Sequence, residues 1–276
     1  MKNRSLSTIS LALLVLLLFL GTILSGVAQG PSAPQKLDLS DLTLKITSTK
    51  EVFVELEPIP IILNLRNESS QTILAHSALD LSNNFVKLFI IEEGGQTREI
   101  QNVSPVTGNT AAAPREIGPG ESLEAKQALA FHLDKTFPRS GDYRIQALLY
   151  DAGWTSEIKS NVLTIHILQP EGLNFEALKY IKSLGASSYF FSGVGFPSEE
   201  EERTALEVFT TKFGETLYGD YAGFSLGERY YYDMEYTRAE KQFSLLANKA
   251  DFVFADRAKK YLEKIKKDNA LSSETP

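Results

Sequence analysis

Three histidines are the residues of this sequence best suited to general acid–base chemistry at neutral pH. They are His76, His132 and His166. His132 and Asp134 stand two residues apart, so on a strand they would share one face and could form part of a catalytic triad. No serine, however, is predicted in a nucleophile elbow, and Ser192-Gly193-Val194-Gly195 lacks the flanking glycine spacing. A hydrolytic triad is therefore not predicted.

Metal and phosphate chemistry lack their usual motifs. The sequence has no cysteine, which excludes disulfides and thiolate metal sites, and it has no His-x-x-x-His pair and no glycine-rich phosphate loop. Any two of the 35 acidic residues could meet in space, but no spacing marks a catalytic pair. We therefore predict no enzymatic activity, no cofactor and no metal site.

The first 28 residues have the pattern of a secretory signal peptide. Lys2 and Arg4 precede an apolar run, Ile9–Leu24, and small residues follow at 25–28. The run is short for a membrane span, so cleavage is expected, with a retained N-terminal anchor as the alternative. Residues 29–37 would then be a linker. The prediction is an exported protein of the periplasm, cell envelope or extracellular space, and the lack of cysteine favours a bacterial one.

The charge of the chain limits its partners. The net charge is −7, and cleavage after residue 28 would remove two basic residues and no acidic one, which leaves −9. So acidic a protein has no electrostatic attraction for nucleic acid or for an anionic membrane. We expect neither as a partner.

Residues 38–169 read as a β domain. Short alternating or apolar runs are separated by turn signals such as Gly94-Gly95 and Gly118-Pro119-Gly120, with no helical period between them. Pro58 and Pro60 restrict their strand to an edge or to a strand start. This spacing predicts an antiparallel β-sandwich. The predicted strands are Leu42–Ile46, Ile59–Leu65, Phe85–Ile91, one ending near Ile100, Ala125–Leu133, Tyr143–Tyr150 and Val162–Leu168.

The entry to one late strand resembles immunoglobulin-like and fibronectin-like sandwiches. Gly141-Asp142-Tyr143 is similar to their Gly-x-Tyr entry, and the resemblance implies a tyrosine corner whose hydroxyl bonds upstream backbone. The segments 54–60 and 64–67 resemble exported bacterial Ig-like domains, including a family named for a proteinase inhibitor. That resemblance fixes no residue as inhibitory. As an alternative function, the sandwich alone would be a ligand-binding or protease-inhibitor-like module that uses its end loops, 105–116 and 151–157, with Trp154 as the contact residue.

Residues 172–267 change to helical spacing and predict an α-helical domain, followed by a disordered tail at 268–276. Asn174 could cap the first helix. In the second, Leu206, Phe209 and Phe213 recur at three and four residues as a core stripe. The predicted helices are 174–184, 199–213, 221–232, 236–248 and 252–265.

A helical hairpin motif stands out in this half. Its large and small residues are spaced as in two interlocking helices: Leu226, Gly227 and Tyr230 on the first, Ala239 and Phe243 on the second. The pattern resembles one tetratricopeptide (TPR) repeat of about 34 residues. It departs from that family at Gly223, where a large aromatic residue is common, and at Asp251, where proline is common. The resemblance implies a TPR-like hairpin capped by the helix 252–265.

The function predicted from these features is partner binding without catalysis. Tyr230, Tyr231 and Tyr232 point about 100° apart on a helix, so at least one of the last two should reach the surface. Arg229, Tyr231 and Tyr232 are the predicted contacts to a protein or peptide partner whose identity the sequence leaves unknown. A third alternative is an assembly role in which the protein associates with copies of itself.

Overall fold

The computed structural model describes residues 41–75, 79, 81, 85–100, 115–130, 132–150, 155–184 and 200–273. Within these ranges the chain forms ten strands and six helices. The strands are β1 Leu42–Thr47, β2 Val52–Val54, β3 Ile59–Asn67, β4 Ile73–Ala75, β5 Val86–Ile91, β6 Thr97–Glu99, β7 Arg115–Ile117, β8 Ser122–Leu129, β9 Gly141–Tyr150 and β10 Glu157–Leu168. The helices are α1 Leu133–Thr136, α2 Gly172–Ser183, α3 Glu200–Phe213, α4 Leu217–Tyr232, α5 Tyr236–Leu246 and α6 Ala255–Ser273.

The strands form two main sheets. One has the order β1-β3-β8 and the other β2-β10-β9-β5-β6, while β4 and β7 pair separately. Every pair is antiparallel except β2 with β10, which run parallel. Alternate side chains point into the core, as in β3, where Ile59, Ile61, Leu63 and Leu65 are buried. The predicted sandwich is thereby confirmed, with one parallel pair added.

The strand that carries Pro60 lies in the centre of its sheet, between β1 and β8. The prediction that Pro60 lies at a strand start is confirmed, and the alternative that its strand lies at the edge of the sheet is wrong. Pro60 is tolerated because it is the second residue of β3. Its carbonyl oxygen accepts a hydrogen bond from Ser48 Oγ at 2.7 Å.

The predicted strand Ala125–Leu133 ends early. β8 stops at Leu129, His132 has a left-handed backbone (φ 47°), and Leu133–Thr136 form the helical turn α1. The expectation that His132 and Asp134 share one strand face is therefore wrong. Leu133 and Thr136 are the buried residues of this turn.

The tyrosine corner is present. Tyr143 Oη donates a hydrogen bond to the carbonyl oxygen of Arg139 at 2.7 Å, four residues upstream, and its ring packs edge-on against Phe137. The bond ties the turn before β9 to the strand itself.

Replacement of Tyr143 with phenylalanine should lower the free energy of unfolding by about 1 kcal/mol, because the ring is retained and one hydrogen bond is lost. Denaturant titration of the variant beside the wild type measures the difference. Equal midpoints would show that the corner does not contribute to stability.

The helices α2–α6 follow the sandwich directly, and their start and end points differ in part from those predicted. α4 begins at Leu217, four residues before the predicted start, because Thr216 Oγ1 accepts from the amide of Gly219 at 3.0 Å and caps it. Asn174 does not cap its own helix: its Oδ1 accepts from the amide of Leu217 at 3.0 Å and so also caps α4. Residues 268–273, expected in the tail, belong to α6.

The helical region is tied to the sandwich at Glu55, in the turn after β2. Tyr218 of α4 donates its hydroxyl proton to the carbonyl oxygen of Glu55 at 2.6 Å. Lys182 of α2 pairs with the Glu55 carboxylate at 2.5 Å. Tyr218 is fully buried in this position, so removal of the helices would expose the part of the sandwich that Tyr218 covers.

Candidate binding groove

A surface groove of about 440 Å³ runs between three helices of the C-terminal region. The last turn of α3 forms one wall, the first turns of α4 form the floor, and α5 forms the other wall. Its lining residues are Thr210, Thr211, Gly214, Gly219, Asp220, Gly223, Gln242, Leu245 and Leu246. Leu245 is an apolar side chain on the rim that is 69% exposed. Concave surfaces with mixed polar and apolar lining are where proteins bind ligands and peptides.

Glycines create this groove. A Cβ atom at Gly219 would lie 2.3 Å from the carbonyl oxygen of Phe213 and 2.7 Å from the Cα of Gly214, so the crossing of α3 and α4 requires glycine there. One turn later, a Cβ atom at Gly223 would meet only Gln242 Oε1, at 3.3 Å. Gly223 therefore leaves the floor open, at the position where the hairpin motif commonly has a large aromatic residue.

One carboxylate lies on the groove floor. Asp220 is mostly buried and forms an ion pair with Lys249, which follows α5 and is half-exposed. Burial raises the pKa of Asp220, and the neighbouring ammonium group of Lys249 opposes that rise. The floor thus carries a carboxylate whose counter-charge comes from the rim.

The two threonine hydroxyl groups on the α3 wall already donate hydrogen bonds within the helix. Thr210 Oγ1 donates to the carbonyl oxygen of Leu206 at 2.9 Å, and Thr211 Oγ1 donates to that of Glu207 at 2.8 Å. Their oxygens retain lone pairs that can accept further hydrogen bonds. This wall is also the C-terminal turn of α3, where the helix dipole is negative.

The residues predicted as partner contacts lie at the other end of α4, outside the groove. Arg229 is half-buried and donates from Nε to Asp233 at 2.9 Å. Tyr231 is half-buried and its hydroxyl bonds Asp268 at 2.9 Å. Tyr232 is the one that reaches the surface: it is 51% exposed.

The five residues of the hairpin motif are all buried between α4 and α5. They are Leu226, Gly227, Tyr230, Ala239 and Phe243. Gly227 allows α4 and α5 to pack closely, because a Cβ atom there would lie 2.9 Å from Phe243 Cε1. The spacing of the motif therefore corresponds to a packing contact between α4 and α5.

Tyr230 also closes a polar network at the α3–α5 side of the hairpin. Its hydroxyl donates to Glu207 at 2.8 Å and accepts from Arg238 at 2.5 Å. The guanidinium of Arg238 lies 4.0 Å from the centre of its ring, and that of Arg203 lies 5.1 Å from it. These charges are matched within the protein, so the network stabilises the hairpin and presents no vacant site.

The hairpin also contains a Gly-x-Ser-x-Gly spacing, which was not among the predicted features. Gly223, Ser225 and Gly227 have the order of a hydrolase elbow, but all three lie in the middle of α4. Ser225 is buried there, whereas a nucleophile elbow exposes its serine at a strand-to-helix turn. The two glycines serve helix packing and the groove floor instead.

A buried acid lies between α4 and α6. Glu228 is 1% exposed and bonds Arg257 of α6 at 2.6 Å. Loss of solvation raises the pKa of Glu228 to about 7, against the opposing effects of Arg257, of a hydrogen bond from Tyr261, and of Lys264. Arg257 also lies over the rings of Phe224 and Phe254, at 5.1 and 5.3 Å. The pair holds α6 against the hairpin.

Several predicted residues lie outside the described part of the chain: the segment 1–40, His76, most of the loop 105–116, and Trp154. His166 is described, and its Nδ1 lies 2.5 Å from Asp142 Oδ1 on the exposed face of β10 and β9.

Across the ranges that the structure describes, no group of three or more His, Asp or Glu side chains could hold a metal ion. In the same ranges no helix has the length and apolar character of a membrane span.

No protein-family profile matches the sequence, and comparison with curated proteins finds no similar chain. Solved structures give distant likenesses. A CARDB domain from Pyrococcus furiosus, in complex with di-metal ions, matches over 46% of this chain and 88% of its own, with 13% identity and a TM-score of 0.27. Spo0M, a sporulation control protein from Bacillus subtilis, matches over 52% of this chain and 56% of its own, with 12% identity and a TM-score of 0.29.

Proposed function

We propose that this protein is an exported, non-enzymatic interaction protein whose helical region binds a segment of a protein partner in the groove between α3, α4 and α5. The observation that carries the proposal is the open floor at Gly223, which leaves about 440 Å³ beside an exposed leucine. The N-terminal sequence pattern supports export.

The hairpin α4–α5 is, in this proposal, a TPR-like unit and α6 is its capping helix. The close approach at Gly227 and the burial of Ala239 and Phe243 support the repeat interpretation. α6 covers the hairpin through Ala258, Tyr261 and Ile265, all buried. The groove lies on the side of α4 that faces α3, so it remains accessible with α6 in place.

The helical region bonds the sandwich at Glu55, and an experiment on the groove must keep that junction. Because Tyr218 and Lys182 bond Glu55, deletion of the chain after Pro170 would disturb both parts. A point substitution in the full chain is the better experiment.

Replacement of Gly223 with leucine should block the groove and leave the fold intact. The new Cβ meets only the end of the flexible Gln242 side chain, and leucine is a better helix former than glycine by about 1 kcal/mol. We expect full-length Gly223→Leu to be at least as stable as the wild type and to lose its partner in a capture experiment from cross-linked native cells.

The matched control is Lys260→Leu, which adds the same side chain at an exposed position of α6. It should retain the partner. Capture by Gly223→Leu at the wild-type level would contradict the groove as the binding site.

A further inference from the structure

We infer that the groove recognises an arginine side chain of the partner, with Asp220 as its carboxylate and Lys249 as the internal counter-charge that the arginine displaces. The inference rests on the proposed function and adds the chemistry of the bound segment.

Three side chains of the groove lining offer hydrogen-bond acceptors: Thr210, Thr211 and Gln242. The two threonine hydroxyls of the α3 wall donate to backbone carbonyl oxygens, which leaves their lone pairs for a ligand. Gln242 Oε1 lies directly above the open floor at Gly223. A ligand that brings donors therefore matches these acceptors.

The floor of the groove carries a negative charge. It is the carboxylate of Asp220, and the C-terminal turn of α3, which also bears Lys212, contributes the negative end of a helix dipole. The whole chain carries a net charge of −7, which attracts basic partners over a longer range. A cationic donor is therefore favoured over a neutral one.

Lys249 occupies the position of such a cation without filling the groove. Its ammonium group pairs with Asp220, but the lysine side chain is half-exposed, so it can return to solvent when another cation pairs with the carboxylate. A guanidinium group suits the site better than a second ammonium group, because it presents five donors in a plane and pairs with a carboxylate through two of them.

The test uses the full chain and the peptide acetyl-Gly-Arg-Gly-amide, with the citrulline peptide as a neutral control of the same shape. NMR titration follows the amide signals of Gly219 and Gly223, which lie on the groove floor. We expect saturable shifts at both glycines with arginine, and binding at least about tenfold weaker with citrulline.

Two variants give opposite results under this inference. Asp220→Asn should weaken binding of the arginine peptide by about tenfold or more, whereas Lys249→Met should strengthen it several-fold because the competing cation is gone. Equal binding of the two peptides, or unchanged binding by Asp220→Asn, would overturn the inference. If Gly223→Leu still abolishes partner capture in that case, the proposed function stands and only the arginine assignment fails.

Discussion

Replacement of Arg257 with methionine should destabilise the protein by about 3 kcal/mol at pH 8, because the buried carboxylate of Glu228 loses its counter-charge. Methionine fills much of the same volume, so the loss is mainly electrostatic. The stacking of the guanidinium on Phe224 and Phe254 adds to it. At pH 5 the cost should be smaller, because Glu228 is then protonated. Denaturant titrations at the two pH values measure both numbers.

The same carboxyl group should make the stability of the wild type depend on pH. Its pKa is raised from the usual 4.5 to about 7, so the folded protein binds more protons than the unfolded chain between these values. The stabilisation is then fully present below pH 4.5 and is lost as the pH rises through 7, a contribution of about 3 kcal/mol. Glu228→Gln should remove this dependence.

The comparison of Glu228→Gln with the wild type isolates one group from the other titrating residues. A pH profile identical in the two proteins would show that Glu228 titrates as it does in the unfolded chain. A constant cost of Arg257→Met at pH 5 and pH 8 would lead to the same conclusion.

Replacement of Gly227 with leucine should have a comparably large effect, about 3 kcal/mol of destabilisation, through overpacking. A Cβ atom at this position would lie 2.9 Å from Phe243 Cε1 and 3.1 Å from Gln242 Cβ. Phe243 cannot move away, because it is fully buried and stacks on Tyr261 with ring centres 4.7 Å apart. Thermal and denaturant unfolding of the variant measure the loss.

Gly223→Leu is the matched control, one turn earlier on the same helix. It makes the same substitution where the floor is open, so it should show no loss of stability. Equal destabilisation by both substitutions would contradict the distinction between a close helix contact at Gly227 and an open groove at Gly223.

Much of the fold could be predicted because its signals are local. Alternation marked the strands, three- and four-residue spacing marked the core side of α3, and the Gly-x-Tyr entry marked the tyrosine corner. The errors arose where tertiary contacts compete with local pattern. The left-handed backbone of His132 ends the strand direction before α1, and the side chain of Asn174 caps a distant helix in place of its own.

The groove could not be predicted in the same way, because it joins residues from three helices. No spacing brings Thr210, Asp220 and Gln242 together before the helices are packed. The signal was the glycine at position 223, visible in the sequence only as a departure from the hairpin motif. The predicted contacts Arg229 and Tyr231 lie on α4 at the end away from the groove, where each forms an intramolecular bond.

The binding site is tested most directly by photo-crosslinking from two positions of the full chain in the cells from which it comes. Leu245→p-benzoyl-phenylalanine places the probe on the groove rim, and Tyr232→p-benzoyl-phenylalanine places it at the other end of α4, since both side chains are exposed. We predict a partner adduct from position 245 that Gly223→Leu abolishes, and none from position 232. An adduct from position 232 alone, or from neither position, would contradict binding in the groove.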